Sequence, residues 1–69
     1  MFDKDAFEKL ILDRGVKKTA VAAAMGIRPS TLYRKMNGVF DFTRSEIQRC
    51  CDFFHVDNLN DIFFAKEVS

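Results

Sequence analysis

Four residues, Gly15, Gly26, Pro29 and Gly38, divide this chain into short pieces, and they are all of its glycine and proline. None of them breaks an apolar-periodic stretch; each stands where one ends or begins. Glycine just past the last periodic residue suits the left-handed position that closes a helix. Proline suits the first helical position, because its φ is already helical and its missing N–H has no intrahelical partner there. Between these marks the spacing is helical. Phe7, Leu10 and Ile11 form a stripe on a first segment from about Asp3 or Asp5 to Arg14, with Asp3, Asp5 and Glu8 near the end where the helix dipole favours anions. The second segment, about Lys18 to Met25, is alanine-rich and thin enough for close approach by another helix, with Val21 and Met25 as its apolar contacts. A third begins at Pro29, runs through Leu32 and Met36, and stops at the Asn37-Gly38 turn. Thr43 with Glu46 three residues later reads as a capping box, opening a fourth helix that reaches Phe54 or His55. A last short helix, about Leu59 to Ala65, carries Leu59, Ile62, Phe63 and Phe64. No alternating β-branched run suggests a sheet. The expectation is an all-α protein, a compact bundle of about five short helices in one domain, with Phe40 and Phe42 tucked back from the loop before the fourth.

Size sets a second limit. A chain of 69 residues buries only about 60% of its unfolded surface, so each large apolar side chain matters. With 48% hydrophobic and 30% charged residues the composition is that of a globular domain and not of a disordered one. No apolar run approaches the roughly 20 residues that span a bilayer, and the start is charged from Asp3 onward, unlike a signal peptide. Cys50 and Cys51 are neighbours, which disfavours a disulfide between them, and they share a helical face with Ile47 and Phe54. They read as reduced core residues in a cytoplasmic protein. His55 is the only histidine and has no ligand-spaced companions, so no metal or cofactor is expected. No catalytic constellation is visible, which argues against an enzyme.

Charge is where the chain departs from the ordinary. Between Asp13 and Asp41 it carries six cations, Arg14, Lys17, Lys18, Arg28, Arg34 and Lys35, and no acid. The rest holds five basic and ten acidic residues, so a net charge of +1 conceals a dipolar molecule. A cationic face attracts phosphates while an acidic back turns away from them. The same stretch contains two short helical segments joined by a turn headed by Gly26, the pattern of a helix-turn-helix. In DNA-binding versions the second helix enters the major groove by its N-terminal residues, here Arg28, Pro29, Ser30 and Thr31, followed by Arg34. Lys17 and Arg28 also occupy positions where Ser, Thr, Asp or Asn would ordinarily cap a helix. Cations there are reasonable if phosphate oxygens meet the free N–H groups.

The stretch VKKTAVAAAMGIRPSTLYRKMNG resembles the helix-turn-helix of lambda-repressor-like, XRE-type regulators, and especially small phage Cro-like and repressor-like proteins. The matching positions are Val21-Ala22, Gly26-Ile27, Ser30-Thr31-Leu32 and Asn37-Gly38, and the ending DIFFAKEVS is also similar. The likeness covers about residues 6 to 65. It implies that Lys18 meets a backbone phosphate, that Arg28, Pro29, Ser30 and Arg34 face the groove, and that Asn37 lies near a phosphate strand. Lys17, Lys18, Arg28 and Lys35 depart from the residues most frequent in that family; at Lys35 many members have an apolar residue, whose packing role falls to Met36. The candidate DNA-binding set is Lys17, Lys18, Arg28, Pro29, Ser30, Thr31, Tyr33, Arg34, Lys35 and Asn37. One recognition helix reads only a few base pairs, so the partner expected is double-stranded DNA bearing a pseudo-palindrome, bound by a homodimer. Phe53, Phe63 and Phe64 are the candidate dimer contacts, because a helix cannot point Ile62, Phe63 and Phe64 into one core. The alternative is a protein-interaction module that uses the basic face or the C-terminal phenylalanines.

Overall fold

Asp3 opens the first helix: its side chain accepts a hydrogen bond from the Ala6 N–H at 3.0 Å, satisfying one of the donors a helix start leaves free. The computed structural model describes residues 1–65 and contains five helices: α1 Lys4–Arg14, α2 Lys18–Met25, α3 Pro29–Met36, α4 Arg44–Phe54 and α5 Asn60–Phe63. Among the described residues there is no strand. Helices α1 and α2 both end on a glycine with positive φ, 66° at Gly15 and 77° at Gly26. At the second of these the Gly26 N–H donates to the Ala23 carbonyl and the Ile27 N–H to the Ala22 carbonyl, so the chain reverses with its last carbonyls satisfied. The α4 capping box is complete: Glu46 N–H donates to Thr43 Oγ1, and Thr43 N–H donates to Glu46 Oε1 at 2.9 Å. That helix closes on His55, a non-glycine residue with φ 57°.

The core is built around α2 and α4. Val21, Ala22 and Met25 on α2 and Cys50, Cys51 and Phe54 on α4 are buried, joined by Phe7 and Ile11 of α1, Leu32 and Met36 of α3, and Leu59 and Phe63. Ala22 is fully buried, which is the close approach that an alanine-rich helix permits. Desolvation pushes the Cys50 thiol pKa up to about 12, with the neighbouring Cys51 adding to the shift. Cys51 is also raised, chiefly by burial. Both thiols are free and neutral fillers of apolar space.

A second layer of the core consists of rings. Phe2, Phe7, Phe42 and Phe63 come from the N-terminal segment, α1, the α3–α4 loop and α5, with centroids 4.9 to 6.4 Å apart. Such tilted and edge-on pairs add stability beyond area burial. The Asp3 N–H donates to the Ile62 carbonyl at 2.7 Å beside them.

Three expectations are corrected here. Phe63 is only 5% exposed and belongs to this cluster, so it is not available as a dimer contact. Phe40 does not tuck back with Phe42; it is 54% exposed. The last helix is a single turn, Asn60–Phe63: the Asn58 side chain accepts from the Asn60 N–H at its start, and Phe64 has left helical geometry at its end. Phe64 is exposed, and Phe53 is half-buried with its ring edge-on to Phe54.

Candidate nucleic-acid interface

Two helix starts define the face of interest. Lys17 and Arg28 precede α2 and α3 in extended conformation, and neither makes a side-chain capping hydrogen bond. No acid occupies the first turn of either helix. The positive ends of both macrodipoles are therefore uncompensated by any side-chain anion of their own helix, an arrangement suited to phosphate oxygens. The two starts are neighbours in space. Lys18 Nζ lies 5.7 Å from the centre of the Tyr33 ring, and Lys18 and Thr19 line one recess with Pro29 and Tyr33.

Helix α3 is strongly two-sided. Leu32 and Met36 point into the core, Thr31 is half-buried, and Arg28, Pro29, Ser30, Tyr33 and Arg34 are exposed. Pro29 stands at the first helical position, so the exposed first turn there presents carbon and not a donor.

The six cations of the acid-free stretch do not all join this face. Arg14 turns away to donate from Nη1 to the Phe54 carbonyl at 2.8 Å, where it compensates the C-terminal end of α4. Lys35 is the clearest departure from the candidate set. Its Nζ is 2.5 Å from Glu46 Oε1, and the two side chains are 10% and 11% exposed, so the lysine is committed to the α4 capping box. The reason is register: Lys35 lies one residue before the inward-facing Met36, on the side of α3 that meets the α4 start. Burial raises the Glu46 pKa, but hydrogen bonds from Lys35 and from Thr43, with the lysine charge, outweigh it and hold the carboxyl below its ordinary value.

Lys18 is paired as well, with Glu8 of α1 at 2.7 Å, although both side chains remain well exposed. The hydrogen bond and charge of Lys18 lower the Glu8 pKa; the same hydrogen bond raises that of Lys18. The fold thus brings an α1 carboxylate to a face whose own sequence has none. Lys17, Arg28 and Arg34 form no ion pair among the described residues.

Two further cations border the face without any local sequence signal. Lys4 Nζ donates to Asn37 Oδ1 at 2.8 Å, tying the start of α1 to the end of α3. Arg49 of α4 covers the turn: its Nη1 occupies the space a side chain on Gly26 would need. Among the described residues no three His, Cys, Asp or Glu side chains gather to hold a metal ion, and no helix is long and apolar enough to cross a membrane.

Two helices at a glycine turn, the second presenting an exposed polar face beside the free start of the first, make a helix-turn-helix of the DNA-binding kind. Comparison with protein families gives the same class and a narrower one. The Cro/C1-type HTH DNA-binding domain matches residues 7–66, and the chain belongs to that family. Neither a curated protein nor a solved structure matches it.

Proposed function

We propose that this protein is a sequence-specific transcriptional regulator of the phage repressor or Cro type, which lays α3 in the major groove of an operator. The observation that carries the reading is the pair of uncapped helix starts, side by side on a face holding the unpaired Lys17, Arg28 and Arg34. In this reading Lys17 and Lys18 meet backbone phosphates, Lys18 by exchanging Glu8 for a phosphate oxygen. Arg28, Pro29, Ser30 and Arg34 face base edges, Thr31 supports them from the half-buried side, and Asn37 with Lys4 approaches the opposite strand. This reading leaves Lys35 out of the contact set, since its largely enclosed side chain is held by Glu46.

Two copies bind a pseudo-palindrome, since one α3 spans too few base pairs for a unique site. Of the candidate phenylalanines Phe64, 61% exposed, is the aromatic contact between copies together with the half-buried Phe53, and it lies next to the exposed Phe40 along one depression of the surface. The whole acts in the cytoplasm, where such operators are found.

Selection of bound sequences from a random duplex pool would return half-site, spacing and stoichiometry together. On the selected operator, Arg34→Ala should cost about 1–3 kcal/mol and relax preference at one position, with a smaller loss on random DNA. Equal losses on both would make Arg34 a backbone contact, and a pool that yields no enriched sequence would remove the reading altogether.

A further inference from the structure

The recess between the first turns of α2 and α3 is apolar, although it opens on the most cationic part of the surface. Thr19 and the stem of Lys18 form one wall, Pro29 and Tyr33 the other, and Leu32 and Met36 the floor. Leu32 and Met36 are 2% and 4% exposed, so the core is already closed beneath it. Pro29 and Tyr33 are four residues apart on one helical face and both are exposed. Neither is needed to seal the core. Pro29 brings no N–H, and the Tyr33 ring lines the recess with Lys18 Nζ 5.7 Å from its centre.

An apolar hollow on a face otherwise suited to phosphates and base edges has few complementary partners. Among the groups that the major groove exposes, the C5-methyl of thymine is the apolar one. The charges around the recess fit the same occupant. Lys18 and the uncapped start of α2 border it on the side where the sugar-phosphate strand of the same nucleotide would run. We propose that this recess reads one thymine in each half-site by its methyl group, with Pro29 and Tyr33 as the contacting side chains. The inference rests on α3 being the recognition helix, and it adds a second kind of reading to that of Arg34: shape and carbon surface at one base pair, hydrogen bonding at another.

The test uses the full chain and the selected operator. Each thymine is replaced by uracil, which removes only the methyl and leaves every hydrogen-bonding group. One symmetry-related position should lose affinity by about fourfold per half-site, equivalent to about 0.8 kcal/mol for one buried methyl. Tyr33→Ser should abolish the thymine-uracil difference at that position while Tyr33→Phe retains it; both residues replace an exposed side chain, and helical circular dichroism confirms that they fold. Sequence-specific binding that is indifferent to uracil at every position would overturn the proposal. So would a Tyr33→Ser variant that weakens thymine and uracil operators equally, which would assign Tyr33 to the phosphate strand. Absence of any preferred duplex would be recognised separately in the selection, and there the recognition-helix reading and this proposal fail together.

Discussion

Replacing Glu46 by Gln leaves an acceptor oxygen for the Thr43 N–H but removes the charge that faces Lys35. The pair is nearly enclosed, with side chains 10% and 11% exposed, so the variant strands an ammonium in a place with little water. Breaking a fully buried pair by removing one partner costs about 3–5 kcal/mol. Here the lysine retains some access and a flexible stem, which places the expected loss at about 2–3 kcal/mol. Lys35→Met should cost less, about 1–2 kcal/mol, because Glu46 keeps its hydrogen bonds with Thr43 while methionine fills the vacated volume. The double variant strands neither group and should lose only about 1–2 kcal/mol, giving a coupling energy of about 2–3 kcal/mol. Since a domain of this length has a total stability of roughly 3–10 kcal/mol, the effect is large and easily read by urea unfolding with circular dichroism. A coupling below about 0.5 kcal/mol would refute the claim that these residues act as an enclosed pair. Acid gives a second reading of the same group. Because Glu46 has a lower pKa folded than unfolded, the unfolded chain takes up the proton first. Its contribution is therefore intact above the ordinary carboxylate pKa and is lost as the pH falls from there through the folded value. Glu46→Gln should flatten that part of the acid limb.

Glu8→Gln removes the α1 carboxylate that holds Lys18, so affinity for duplex DNA at low salt should rise by about two- to fivefold in a filter or anisotropy titration. Unchanged or weaker binding would place Lys18 away from the phosphates. At pH 8 the Cys50 thiol, with its pKa pushed up to about 12, should resist a disulfide reagent in the native protein and react together with Cys51 in urea. Because the unfolded chain ionises this thiol first, stability should also decline as pH rises from about 9 toward 12.

Local chemistry was the legible part of this chain. Gly15, Gly26, Pro29 and the Thr43–Glu46 box mark helix ends through the conformations and donors of a few adjacent residues, and the helices begin and end there. The end of the fourth helix at Phe54 was legible too, from the reach of its apolar stripe, although its left-handed closing residue, His55, is not a glycine. The last helix shows the limit of that method: a single turn has too little periodicity to tell Phe63 from Phe64. At the candidate interface, exposure along α3 followed from its helical period, with Leu32 and Met36 inward and Arg34 outward. The ion pairs did not follow. Glu8 with Lys18, Glu46 with Lys35, and the bonds of Arg14 to Phe54 and Lys4 to Asn37 link residues 10 to 40 positions apart. Which cation remains unpaired depends on how helices cross, and a linear count of charge contains no crossing.

The four-ring cluster has a consequence for the order in which the chain folds. Phe2 and Phe63 meet with centroids 5.4 Å apart although sixty-one positions separate them. Closing a loop of that length in an unfolded chain costs about 1.6 kcal/mol more than closing one of about ten residues. The short closures within α2, α3 and α4 come at the smaller entropic cost, and the rings of the N-terminal segment and α5 reach their partners cheaply only after those helices have met. The cluster is therefore expected on the late side of the folding barrier, so that truncating its rings should speed unfolding more than it slows folding.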